Sequence, residues 1–291
     1  MNHSGPKYHV GSVIENKAGS QVLRVLSKHF LWRIRTGTHG SEISEFARRL
    51  DRDGVLVIEN FLSGDDFEAV CNEYESVMKT YELGPYKGVD GGRLYRTQVP
   101  LGGNSVKLVS IEKHFQNNNF LNSIASFVIR RKIRKKPEIF LDRYKSVTDV
   151  GVDNDIENIL HSDLHTPTVK MFFYLNHVTE ENGAFVYAKG SHRLSFARLR
   201  HEYDLSIREA KLKAGLPVAN YLLETRANET RNIVDPNSYK RMGLVETSIT
   251  ANPNTLVVAN NMGFHRRGEF AVGKERKALL INYRNAERAL L

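Results

Sequence analysis

A single cysteine, Cys71, stands among the 291 residues of the chain. With no second thiol, an intrachain disulfide is impossible and thiolate-rich zinc or iron–sulfur sites are excluded, so any metal must rest on histidine and carboxylate. Long apolar runs are also missing: none approaches the roughly 18–20 residues needed to cross a bilayer. The first ten residues lack the charged-then-apolar pattern of a secretory signal, and the expected location is the cytoplasm. Acidic residues are in deficit, 33 against 42 Lys and Arg, for a net charge of +9. Such a surplus favours an anionic partner: nucleic acid, an acidic membrane surface, or a phosphorylated or carboxylated small molecule. What remains, 41% hydrophobic and 26% charged, is the composition of a folded globular unit.

Residues 1–40 carry one apolar patch at 22–32 and no motif, and read as an N-terminal extension of unassigned role. Residues 41–291 read as one domain. Ile43, Phe46, Ala47 and Leu50 recur at helical spacing, and Asp53-Gly54 then turns the chain into an apolar strand at 55–58. Ser63 with Asp66 forms a capping-box-like start. The stripe Phe67, Val70, Cys71, Tyr74, Val77, Met78 and Tyr81 follows it, with Cys71 as core packing. Beyond Gly84-Pro85 come short segments rich in β-branched and aromatic residues: 93–99, 106–111, 139–147, 159–165, 169–177, 184–187, 245–249, 256–259 and 278–283. Many short strands with turn residues between them predict a mainly β sandwich or barrel with flanking helices. An insertion at about 195–243, with a second capping box expected at Ser206 and Glu209, is either a lid or surface decoration. The run Arg130, Arg131, Lys132, Arg134, Lys135, Lys136 reads as a solvated helix end. No aromatic interleaves it and no nucleic-acid motif accompanies it, so nucleic acid is not the expected partner.

The chemistry concentrates in Ile159-Leu160-His161-Ser162-Asp163-Leu164-His165. On a strand, His161, Asp163 and His165 share one face while Leu160, Ser162 and Leu164 point away. On a helix, positions two apart diverge and could not share an ion. A histidine and a carboxylate without thiolate suit a divalent first-row metal, and one more histidine completes a two-His, one-carboxylate face with open sites opposite. His265, 104 residues after His161 and just past the apolar stretch 253–259, is the best third ligand. Arg276 opens the following strand, an unusual place for a cation unless it meets an anion inside. Its planar fork binds carboxylates bidentately, and metal plus buried arginine implies a dicarboxylate cosubstrate. His165 is a possible substrate contact, Arg143 a possible cavity-facing anion contact, and His192 a turn-fixing residue rather than a ligand.

The order His161-x-Asp163, then Phe172-Phe173-Tyr174-Leu175-Asn176-His177-Val178 running into Glu181-Asn182-Gly183-Ala184, then Lys189-Gly190-Ser191-His192, then His265 and Arg276 resembles the phytanoyl-CoA dioxygenase family of iron(II), 2-oxoglutarate-dependent oxygenases. The resemblance runs from about Asp53 to Tyr283. It implies a double-stranded β-helix, the jelly roll of cupin-like proteins. It further implies that His161, Asp163 and His265 hold Fe(II), that Arg276 takes the far carboxylate of 2-oxoglutarate, and that dioxygen is consumed with release of succinate and carbon dioxide. The usual outcome is hydroxylation of an unactivated C–H bond. Halogenating relatives replace the carboxylate with a small residue, whereas Asp163 is present here. Lys189 stands where the family usually has proline, a departure that touches a turn and not the metal. The expected substrate is a small, anionic metabolite. Two other readings stay open at this level: a zinc hydrolase built on His161, Asp163 and His165, and a non-catalytic jelly-roll protein that binds an anionic ligand.

Overall fold

The computed structural model describes residues 11–34, 43–85, 94–103, 107–148, 156–163, 167–217 and 232–284. The chain opens with helices α1 (Val13–Lys17), α2 (Ser20–Ile34) and α3 (Ser44–Asp53), then strand β1 (Val55–Ile58) and helix α4 (Gly64–Met78). Strands β2 (Gly84–Pro85) and β3 (Leu94–Pro100), helices α5 (Val109–Ile111) and α6 (Asn119–Ile129), and strands β4 (Glu138–Ser146), β5 (His161–Ser162), β6 (Val169–Tyr174) and β7 (Phe185–Ala188) follow. Helix α7 (Phe196–Lys213), strand β8 (Asn232–Ile233), helix α8 (Pro236–Met242) and strands β9 (Glu246–Ile249), β10 (Thr255–Asn260), β11 (His265–Arg267) and β12 (Glu275–Tyr283) complete it.

The strands form two antiparallel sheets, ordered β1-β10-β6-β12-β4-β3-β2 and β8-β5-β11-β7-β9. The period-two alternation of each strand sorts its residues between faces. On the larger sheet Leu141, Met171, Phe173, Val258, Leu279 and Ile281 turn outward and bury against α3, α4 and α6. Their neighbours Phe172, Tyr174, Val257, Ala259, Ala278 and Leu280 turn inward and meet Phe185 and Tyr187 of the smaller sheet. The expected jelly roll with helices outside is what is observed.

Local signals explain most element ends. Ser63 accepts a hydrogen bond from the Asp66 amide and starts α4. Gly54, at φ 77°, ends α3 in the left-handed conformation that turns the chain into β1. Two expectations fail. The stretch 106–111 is not a strand: Val109–Ile111 is helical and runs into a π-helical turn at Glu112–Gln116. The Glu73 carboxylate accepts from the first-turn amides of Ser110 (2.7 Å) and Ile111 (2.9 Å), which satisfies orphan donors and favours the helix. Ser206 caps nothing either; it lies inside α7, which is capped by Ser195, and its hydroxyl donates back to the Tyr203 carbonyl.

Candidate metal centre and active site

His161 and His265 are direct partners across the β5–β11 pair. Their side chains therefore leave the smaller sheet on one face, with ring centroids 4.9 Å apart. Asp163, two residues past His161, returns to that same face. His161 Nε2 lies 3.4 Å from Asp163 Oδ1, and His265 Nε2 lies 3.7 Å from Asp163 Oδ2. One ligand atom from each of the three lies within 4.8 Å of the others. Leu160 and Phe264 point to the opposite face, as the alternation demands, and pack together with Ala188 and Val234.

The second ring nitrogens fix the orientation. His161 Nδ1 is 2.6 Å from the Ile159 carbonyl and His265 Nδ1 is 3.0 Å from the Gly263 carbonyl. A carbonyl only accepts, so each Nδ1 carries the proton and each Nε2 presents its lone pair inward. Gly263 is required here: a Cβ at that position would run into the Tyr187 hydroxyl. His265 Nε2 is buried and has no hydrogen-bond partner, a costly state for a polar atom unless something electrophilic occupies the space between the rings. Two imidazole nitrogens and a carboxylate oxygen, with no sulfur, fit a divalent first-row ion.

Asp163 is the more exposed of the three, with a side chain 23% accessible. Burial pushes its carboxyl up, but the neighbouring Lys170 ammonium outweighs that and holds it well below the usual carboxylate range. Lys170 Nζ lies 2.7 Å and Asn261 Nδ2 2.8 Å from the same oxygen, Oδ2. Oδ1 is thus the oxygen left for an ion. Burial lowers the pKa of His265 and keeps it neutral.

Arg276 lies inside the barrel, 4% exposed, opposite Tyr144 in the β12–β4 register. Its guanidinium donates to the Gly183 carbonyl and sits 4.9 Å from the Tyr144 ring centre and 5.8 Å from that of Phe270. Its Nε is buried without a partner, so the fork is only partly used. Arg143 does not join it. That residue is on the outward, helix-covered face of β4, opposite Lys277, and is ion-paired to Glu275. The expected cavity contact by Arg143 is therefore replaced by a surface pair. His165 lies outside the described residues; among the described residues, His265 is the histidine that joins His161 and Asp163. His192 is buried and bonds the Asp51 carbonyl at 3.1 Å, fixing a turn as expected.

A profile of the phytanoyl-CoA dioxygenase (PhyH) family matches residues 50–235. The chain belongs to the phytanoyl-CoA dioxygenase family. It is a non-haem iron, 2-oxoglutarate-dependent oxygenase. The matched segment ends before His265 and Arg276, so for these two the geometry speaks alone. Among solved structures, the epimerase SnoN in complex with Fe3+, alpha ketoglutarate and nogalamycin RO aligns with a TM-score of 0.54 at 12% identity, over 84% of each chain. EctD from S. alaskensis, crystallised with 2-oxoglutarate and 5-hydroxyectoine, gives 0.51 at 14% identity, over 82% of this chain and 75% of that one. At such identities the likeness is one of fold. No curated protein matches the sequence.

Asn261 and Arg198 escape sequence reasoning, and Lys170 enters it as a possible cavity-facing cation without its role beside Asp163. Lys170 and Asn261 hold Asp163. Arg198, from the insertion, donates to the Ser162 hydroxyl between the two β5-side ligands (3.3 Å) and to the Ser191 carbonyl (3.0 Å), and lies 3.8 Å over the Phe264 ring. Glu202 pairs with it at 3.0 Å and is itself bonded by Asn232 of β8. Helix α7 thus buttresses β5 and β11 from behind. The family departure at Lys189 leaves its turn intact: Gly190, at φ 76°, donates to the Asp53 carbonyl.

Proposed function

We propose that this oxygenase oxidises an unactivated C–H bond of a small anionic metabolite, with His161, Asp163 and His265 holding Fe(II) and Arg276 receiving the far carboxylate of 2-oxoglutarate. The observation that carries the reading is the meeting of His265, with its unpartnered inward nitrogen, and His161–Asp163 on one face of the barrel. Iron bound with 2-oxoglutarate supplies the activation of dioxygen that no side chain can perform. The chain's own task is placement. His161 and His265 present fixed Nε2 lone pairs, and Asp163 offers Oδ1 because Lys170 and Asn261 restrain Oδ2. The Arg276 fork fits a carboxylate in plane, and Phe172, Tyr174 and Phe185 exclude water around it.

Charge supports an anionic substrate. Among the described residues, Arg96, Lys170, Arg267 and Arg276 lie on the inner side, against the carboxylates of Asp142 and Asp163. Four cations thus stand against two carboxylates on the described inner wall, with Arg96 bound to Asp142 at 2.8 Å and Lys170 to Asp163. The test is an anaerobic titration with iron and 2-oxoglutarate, followed by oxygen-dependent succinate release across a panel of carboxylated, phosphorylated and neutral metabolites. Coupled turnover confined to anionic members is expected. Coupled turnover with neutral members alone refutes the substrate class, and failure to bind iron and 2-oxoglutarate together refutes the site.

A further inference from the structure

Two features of the sequence play no part in this chemistry, and the fold brings them together. The first is α2. It docks through Gln21, Val25 and Trp32, all buried, and Trp32 Nε1 donates to the Val128 carbonyl at 2.7 Å. Its opposite face is apolar and open: Leu23 is 63% exposed, Leu26 40%, Phe30 64% and Ile34 59%. These four recur at i, i+3, i+7 and i+11, so they form one stripe along a helix about 22 Å long. Phe196, 93% exposed at the start of α7, stands just beyond Leu194, which lines a groove with Leu26 and Phe30. A contiguous apolar stripe turned to solvent marks an interaction surface.

The second feature is the basic run 130–136. It leaves the C-terminus of α6 at Arg130, which caps that helix in the left-handed conformation at φ 58°. The Arg130 guanidinium lies 5.3 Å from the Trp32 ring centre, so the run begins against the end of α2. Lys132, Arg134, Lys135 and Lys136 are exposed, as is Arg33 on α2 itself. The nearby Asp51 is occupied by Arg130 and Arg193, each at 3.7 Å.

We propose that this face docks on an anionic lipid bilayer, with the α2 stripe entering the interface and the 130–136 run contacting acidic headgroups. An apolar helix face flanked by cations is the chemistry of interfacial helices. The competing occupants fit less well. A two-fold contact between copies sets the same patch against itself and would crowd the two basic runs together. Nucleic acid would satisfy the cations but leave Leu23, Leu26, Phe30 and Ile34 without an apolar partner. The inference does not depend on the metal site, since none of these residues belongs to it.

The experiment is flotation of the full chain with vesicles of phosphatidylcholine alone and of phosphatidylcholine and phosphatidylglycerol in equal parts. Binding to the mixed vesicles is expected, falling as salt rises. The pair Leu26→Ser and Phe30→Ser should weaken it by at least about tenfold, and Lys132→Gln with Lys135→Gln by about fivefold per cation removed. These positions are exposed, and unchanged circular dichroism and thermal melting verify that the variants are folded. Three results would overturn the proposal: no flotation with mixed vesicles, flotation undiminished in the Leu26/Phe30 variant, or a dimer in sedimentation that this variant converts to monomer. DNA binding that competes with flotation yet is indifferent to Phe30 also counts against it.

Discussion

The seven-stranded sheet has two faces made by alternate residues of the same strands, and they are built on different physics. Outward, Leu141, Met171, Phe173, Leu279 and Ile281 are interchangeable in kind: each buries apolar surface against a helix. Inward, Asp142, Tyr144, Lys170, Phe172, Tyr174 and Arg276 are not interchangeable, because each has a specified partner or direction. One register thus separates stability from chemistry. A residue's face, more than its depth, decides what its loss will do.

Substitutions on the two faces should therefore fail differently. The largest effect on chemistry is expected from Asp163→Asn, which keeps the shape but not the charge. Oxygen-dependent succinate release should vanish while circular dichroism stays native, and residual turnover near the parent level would contradict the metal assignment. The largest effect on stability belongs to the other face. Phe173→Ala, next to inward Phe172, should lower unfolding free energy by about 3–5 kcal/mol in urea titration, with the metal affinity of the folded fraction unchanged. Arg276→Ala should raise the KM for 2-oxoglutarate by roughly a hundredfold, with kcat at saturation much less affected. Arg276→Lys should restore little, since a point charge does not replace a planar fork.

Lys170→Met sharpens the comparison within the inner face. It removes one of two restraints on Asp163 Oδ2 without touching a ligand, and should change Co(II) affinity by about 10–100-fold. An unaltered affinity and visible spectrum would show that the contact is incidental. The smallest effect lies away from both faces, at Glu209 on α7, whose carboxyl burial raises to about 7. Between the ordinary glutamate range and about 7 the folded chain holds a proton that the unfolded chain has released. Stability contributed by that proton is complete at low pH and is lost as pH rises through about 7. Glu209→Gln should flatten this decline and be more stable at pH 8 by roughly 1–2 kcal/mol, read as thermal midpoint against pH.

What could be read beforehand follows from the same alternation. The two-residue spacing of His161 and Asp163 made sense only on a strand, and Leu160 and Ser162 do turn away. The contact of Lys170 with Asp163 was unreadable because β6 is apolar on both faces: Met171 and Phe173 are no less hydrophobic than Phe172 and Tyr174, so nothing local says which side is in. Arg143 misled for the same reason, since β4 mixes charge with apolar residues on each side. The helix at 109–111 rests on Glu73, 37 residues earlier along the chain than Ser110, and the buttress of Arg198 rests on a tertiary contact with Ser162; neither leaves a local pattern.

The facing of His161 and His265 across two very short strands has a consequence for how such a chain can vary. The loops between them are free to lengthen or shrink without disturbing the pair, but a slip of a single step in the β5–β11 ladder turns one imidazole to the back of the sheet. An ion seated between them would act as a stitch that penalises that slip. Emptying it should loosen β5 first, in hydrogen exchange, while the helix-covered sheet stays protected.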